Sequence, residues 1–216
     1  MTVGERVLQA VGRVERAGGK GVTIVAASKG MSAASVLEAY AAGIRNFGEN
    51  YLQEAASKFP AAPDDVTWHF IGRLQSNKIA KIAQAFGTIQ TIASLDQARK
   101  LSAFAPDMKD VFLEVNIAAE PQKAGIPPED VPEIAELVYD LHNLRLVGLM
   151  TMGPENPNAE DARPYFIHMR KLVESLALPG VDKLSMGMTS DYEVAVQEGA
   201  THVRIGSGIF GPRTKR

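Results

Sequence analysis

Apolar residues along the chain alternate between a helical and a strand rhythm. Residues 3–17 place Val3, Val7, Leu8, Val11 and Val14 on one helical face, with charged residues opposite. Residues 22–27 then form a short, β-branched apolar run, as expected of a strand buried on both faces. The alternation repeats to the end of the chain. Further helices are predicted at 33–42, after Asn50 to about 59, and at 77–86, 95–104, 129–141, 161–178 and 190–198. Further strands are predicted at 44–48, 66–71, 88–92, 111–117, 145–150, 183–186 and 202–205, with long loops at 118–128 and 151–159. Ser32 is placed to cap the helix at 33–42, and Gly43 to end it. A leading helix followed by eight strands, each separated from the next by a helix, predicts the α/β class. The expected architecture is a single (β/α)8 TIM barrel with an extra N-terminal helix, residues 1–216 forming one domain. An open doubly wound sheet is the alternative, but eight evenly spaced strands favour closure.

Composition narrows the function classes. A chain of 216 residues builds one sizeable core and is short for two domains. The formal net charge of −2 gives no field that attracts nucleic acid or an anionic membrane. The basic tail at 213–216 is expected to be a solvated end. With no cysteine, disulfides, thiolate metal sites and cysteine nucleophiles are all excluded. Glu5, Arg6, Arg13, Glu15 and Arg16 crowd the N-terminus, so it reads as neither a signal peptide nor a membrane span. The expected location is cytoplasmic, and a closed barrel permits a monomer.

The candidate chemistry sits at the predicted C-terminal strand ends, where ligands bind in alternating βα folds. Lys29 ends the first strand, and Gly30 lets the chain turn away. Burial at an apolar mouth would lower the pKa of Lys29 and free its amine for Schiff-base chemistry; the alternative is a lysine that snorkels to solvent. The segment Gly206-Ser-Gly-Ile-Phe-Gly211 matches the dinucleotide fingerprint, but only five residues follow it, too few for the rest of a βαβ unit. Its glycines can still expose N–H groups to one phosphate, at the loop where barrels recurrently hold one. Thr189 and Ser190 can cap the seventh barrel helix or give hydroxyls to the same phosphate. Arg204 points either into the barrel, where it needs an anion or acceptor, or outward at a helix. His69, between Trp68 and Phe70, reads as a satisfied core histidine, and Glu49 and Asn50 as possible caps for the following helix. Asn116, Lys123 and the polar turn from Gln75 to Lys78 lie near other strand ends, and the four histidines show no metal-ligand spacing.

Taken together, these residues resemble one family across nearly the whole chain. The resemblance is carried by Ala27-Ser-Lys29, FGENYLQE at 47–54, WHFIGRLQSNK at 68–78, GLM at 148–150, LSMGM at 184–188 and VRIGSGIFG at 203–211. The chain is similar to the pyridoxal 5′-phosphate (PLP) homeostasis proteins, whose barrel is the fold-type III barrel of alanine racemase. The resemblance implies PLP as cofactor, held as a Schiff base on Lys29, with Thr189, Ser190, Gly206 and Ser207 at its phosphate. It also implies Arg204 at the pyridine nitrogen, with Asn50 and His69 near the cofactor, and it matches Lys123 to a second family lysine. Met31-Ser32 replaces the family's usual Lys-Pro, removing a basic group from the mouth. Thr189 and Ser207 are conservative departures.

An arginine at the ring nitrogen would weaken PLP as an electron sink. Racemases of this type draw an acid or base from a second domain, and the chain ends soon after its phosphate loop. The implied role is therefore a carrier or buffer in vitamin B6 homeostasis without dedicated catalysis. Its implied partners are PLP, amino acids and PLP-dependent apo-enzymes, with no nucleic acid and no membrane. The alternatives are a weak amino-acid racemase using Lys29 with His69 or Tyr51, a cofactor-free Schiff-base aldolase, and a partner-binding scaffold.

Overall fold

The chain was analysed as a computed structural model describing residues 1–120, 122–153 and 158–212. The basic tail and part of the 151–159 loop lie outside those residues. A leading helix α1 (Val3–Arg16) precedes β1 (Thr23–Ala27), α2 (Ala33–Ala41), β2 (Asn46–Glu49), α3 (Leu52–Lys58) and β3 (Thr67–Phe70). The chain continues through α4 (Ile79–Ala85), β4 (Thr88–Ile92), α5 (Leu95–Phe104), β5 (Lys109–Glu114), α6 (Val131–Tyr139) and β6 (Leu144–Met150). It ends with α7 (Arg163–Leu176), β7 (Lys183–Ser185), α8 (Tyr192–Gln197), β8 (His202–Ile205) and the short α9 (Ser207–Phe210). The strands close in sequence order, β1 through β8 and back to β1, all parallel. The closed barrel thus replaces the open-sheet alternative.

Local chemistry explains the main boundaries. Thr2 and Glu5 form a reciprocal capping box at the start of α1, and Ser32 accepts the Ser35 N–H at the start of α2. β4, α5 and β8 fall where the pattern predicts them. β5 is displaced toward the N-terminus of its predicted run. Val115 and Ile117 stay buried but lie past the end of the strand, with Val115 bridging Ile126 of the following loop. Among the described residues no helix is long and apolar enough to cross a membrane.

The hydrophobic cluster fills the space between barrel and helices, drawing on outward-facing Phe47, Phe70, Ile89, Leu113, Leu149 and Val203. The barrel interior is instead partly polar. Ser185 on β7 bonds to Gln90 on β4, and Arg204 on β8 bonds to Thr151 just past β6. Neither pair belongs to neighbouring strands, so both bonds cross the interior. That places Arg204 inward, resolving the alternative left open by spacing. Two glycines allow backbone approaches that the site depends on. A Cβ on Gly148 would collide with the Lys183 carbonyl where β6 meets β7, and one on Gly72 would collide with the carbonyl of Asn50.

Candidate functional site

The first catalytic-type side chain, Lys29, follows a strand end that is fixed from both sides. Ser28 is fully buried; its hydroxyl donates to Glu49 Oε1 at 2.6 Å, and its carbonyl accepts from Lys58 Nζ at 2.7 Å. Lys58 Nζ also lies 2.5 Å from Glu49 Oε1, an ion pair with side chains only 4% and 0% exposed. On the other side, Gly30 has φ 76°, and its N–H donates to Glu54 Oε2 at 2.8 Å. A residue held at both neighbours has little freedom to wander, which suits a positioned nucleophile. Lys29 itself is half-buried. Burial pushes the Glu49 carboxyl up, with its bonds to Lys58 and Ser28 opposing. The second oxygen of that carboxyl is buried without a hydrogen-bond partner among the described residues.

Lys29 opens into a cavity of ≈ 410 Å³ at the C-terminal mouth of the barrel. Asn50, Thr189, Ser190, Arg204, Gly206 and Ser207 line it too, so seven of the eight predicted cofactor residues meet in one place. Asn50 Oδ1 is buried there with no donor among the described residues. Thr189 Oγ1 accepts the N–H groups of Gly206 and Gly208, each at 3.3 Å, tying the loop after β7 to the loop after β8. The capping roles considered for these polar residues do not occur. α8 is N-capped by Asp191 and α3 by Tyr51, neither through a side-chain bond, so Thr189, Ser190, Glu49 and Asn50 cap no helix.

Arg204 is 5% exposed and donates to the Ser185 carbonyl at 2.9 Å, the Ser185 hydroxyl at 2.7 Å and the Thr151 carbonyl at 2.7 Å. Burial lowers its pKa to about 10, with the nearby Glu114 and Asp191 charges opposing. It therefore remains a cation at neutral pH. Burial pushes Glu114 and Asp191 up in turn, and Asp191 also accepts the Met188 N–H at 2.6 Å.

A second cavity of ≈ 510 Å³ shares Asn50, Ile71, Met152 and Met188 with the first and adds Arg73, Glu114 and Lys123. Lys123 is already engaged there, bonded to Glu120 Oε1 at 2.7 Å and to the Gly153 carbonyl at 3.1 Å. Asn116 bonds twice to the Glu120 backbone and so shapes its own loop. Tyr51 is 59% exposed and lines neither cavity.

His69 is the predicted residue that does not join the cavity. It lies deeper, bordering a cavity of ≈ 430 Å³ at the opposite end of the barrel together with Asn46 and His202. Alternation separates it from Trp68 and Phe70, and its pairing with Gly48 and Thr88 sets it below the mouth. It lines no part of the cavity beside Lys29. Its pKa is lowered to about 3 by burial and, secondarily, by His202, whose own value falls to about 4 for the same leading reason. Both histidines are neutral in the fold and take up protons when the chain unfolds in acid. Their stabilising contribution is complete above the ordinary histidine value and is lost as pH falls toward 4 and then 3. In denaturant titrations between pH 6.5 and 4, replacing His69 by glutamine is expected to remove close to one proton from the slope of unfolding free energy against pH. An unchanged slope would mean that His69 titrates normally in the fold.

Sequence reasoning missed Ser28, Glu49 and Lys58 as a clamp, and Gln90 and Ser185 as partners in the interior. Gln90 did carry a signal: it is a primary amide inside a strand buried along its whole length, where a polar group needs a partner.

Comparison with known proteins gives a consistent family. Residues 10–214 match the family model described as alanine racemase, N-terminal domain. A pyridoxal phosphate homeostasis protein of Pseudomonas aeruginosa is 45% identical over 224 residues, covering 98% of this chain and 96% of its own. One from Schizosaccharomyces pombe is 42% identical over 207 residues, covering 92% and 87%. Among solved structures, PipY of Synechococcus elongatus with PLP bound superposes with TM-score 0.87 at 34% identity, covering 97% of this chain and all of that one.

Proposed function

Since the chain belongs to the pyridoxal phosphate homeostasis proteins, built on the alanine racemase N-terminal domain, we propose that it binds PLP through Lys29 and acts as a carrier or buffer of that cofactor. The observation that carries this reading is the convergence of Lys29, Asn50, Thr189, Ser190, Arg204, Gly206 and Ser207 on one cavity. The residues fit the group. The orphaned Asn50 Oδ1, without a donor among the described residues, can accept from a hydroxyl-bearing ligand. The hydroxyls of Thr189, Ser190 and Ser207 are the donors for a phosphate, and the Thr189 bridge holds both of its loops in place. Arg204, a donor with no acceptor capacity, is the partner for an unprotonated pyridine nitrogen.

Bound PLP supplies an aldehyde that a neutral amine captures with loss of water. The chain's part is to present Lys29 Nζ at a fixed strand end, to grip the phosphate and to keep the ring nitrogen unprotonated. A general acid or base beside Lys29 is what a racemase would add. His69 and Tyr51 were the candidates, and neither lines the cavity. Transient storage of a reactive aldehyde therefore matches these residues better than turnover. Free amino acids and PLP-dependent apo-enzymes are the acceptors such a store would serve.

The deciding experiment is visible absorbance of the purified protein, before and after borohydride, with mass mapping of the reduced site. The expected result is a yellow protein that bleaches and carries one reduced pyridoxyl phosphate on Lys29. A colourless protein that PLP cannot load would overturn the reading and favour a cofactor-free Schiff-base aldolase.

A further inference from the structure

Five side chains on five strands form a continuous hydrogen-bond chain through the barrel. Arg204 Nη1 donates to Ser185 Oγ at 2.7 Å, and Ser185 Oγ donates to Gln90 Oε1 at 2.6 Å. Gln90 Nε2 lies 2.9 Å from His69 Nδ1, and His69 Nε2 lies 2.9 Å from Asn46 Oδ1. The four inner members are almost fully enclosed: Arg204 5%, Ser185 0%, Gln90 0% and His69 3% exposed. Asn46, at the far end, opens on the cavity at the base of the barrel.

The direction of this chain is fixed at one end by chemistry. A guanidinium carries five donors and no acceptor. Ser185 Oγ must therefore present a lone pair to Arg204, and its single proton goes on to the Gln90 carbonyl. The Gln90 amide then offers its NH₂ to His69, so His69 Nδ1 is an acceptor and the ring proton sits on Nε2, facing Asn46. A proton added at His69 Nδ1 would meet the Gln90 NH₂, turn that amide over and disturb Ser185. Each member thus constrains the next.

We propose that Ser185, Gln90, His69 and Asn46 form a one-way relay that locks the Arg204 guanidinium in the orientation in which it faces the cofactor's ring nitrogen. They are positioning residues, acting through Arg204 from the end of the barrel opposite the ligand. The inference rests on the reading of Arg204 as the ring-nitrogen partner. It gives the buried His69 a role toward the cofactor at a distance.

Two readings test it, one without cofactor. In the apo protein labelled with ¹⁵N-histidine, His69 is expected to be neutral with its proton on Nε2, and Gln90→Glu is expected to move a proton onto Nδ1. A wild-type proton on Nδ1, or no response to Gln90→Glu, overturns the relay. In protein loaded with ring-¹⁵N PLP, Ser185→Ala is expected to shift the ring-nitrogen resonance and to speed cofactor release about 3- to 10-fold, the value of one buried hydrogen bond. Capture on Lys29 should stay stoichiometric. Gln90→Met, which cuts the relay one step further away, serves if Ser185→Ala does not fold. Arg204→Lys separates the two ideas. A resonance that moves with Arg204→Lys but not with either relay variant overturns the relay alone. One that moves with none of them overturns the reading of Arg204 and the relay's cofactor role together.

Discussion

Replacing Lys29 by alanine is expected to abolish borohydride-fixable PLP while leaving the unfolding free energy within about 1 kcal/mol of the parent protein. Covalent capture needs a primary amine at that strand end, and no alanine supplies one. The strand end itself is held by groups belonging to its neighbours. Ser28 is tied to Glu49 and Lys58, and the Gly30 N–H to Glu54, so β1 keeps its course when Lys29 changes. Thr189, Ser190 and Ser207 also remain, and with them the phosphate-binding part of the cavity. The variant should therefore still bind PLP reversibly and without a bond, and lose it on a short desalting column. Absorbance, borohydride reduction and mass mapping read the covalent part, and denaturant titration reads the fold. Reduced pyridoxyl phosphate recovered on Lys123 would move the covalent site to the adjoining cavity. Collapse of the fold would instead make Lys29 structural.

Most strands were legible because they carry runs of apolar and β-branched residues between turn signals; β7, Lys183–Ser185, is the weak one. β4 and β8 come out to the residue, whereas β5 does not. Apolar character continues through Val115 and Ile117 because these side chains are buried in the loop region beyond the sheet, and period alone cannot tell the two burials apart. The mouth residues were legible for a different reason. Alternating βα folds put ligands at C-terminal strand ends, so Lys29, Thr189 and Gly206 could be grouped before their distances were known, whereas Asn50 read as a helix cap and joined them only through the family resemblance. Depth along the barrel was not legible. Alternation set His69 on the face opposite Trp68 and Phe70, but its height depends on the register between strands, which only the closed ladder fixes. The Ser185–Gln90 bond joins positions 95 residues apart, and no local pattern encodes it.

The Glu49–Lys58 pair illustrates the same limit with a larger energetic consequence. In sequence, Glu49 looks like a helix cap and nothing marks Lys58, at the end of α3, as its partner, but both are enclosed. Two ions removed from water hold each other poorly unless their remaining valences are satisfied. Ser28 supplies a hydroxyl to the carboxylate and a carbonyl to the ammonium, while one carboxylate oxygen stays unmatched. Lys58→Met keeps most of the side-chain volume and deletes the charge, leaving Glu49 buried with only the Ser28 hydroxyl. The expected loss at pH 7.5 is about 3–5 kcal/mol, since breaking one side of a buried pair strands the other. Glu49 is already pushed up by burial, and loss of the ammonium pushes it further. A carboxyl whose folded pKa is raised is favoured below its unfolded value and disfavoured as pH rises, so the variant should regain stability toward pH 5. Removing both charges with Glu49→Leu and Lys58→Met should recover most of the loss at every pH. Denaturant titration of the single and double variants at the two pH values makes the comparison. A single variant that loses under 1 kcal/mol with no pH dependence would show that Glu49 is compensated elsewhere. With the expected loss, PLP capture by the surviving folded fraction should also slow, because the Ser28 carbonyl that Lys58 holds lies directly before Lys29.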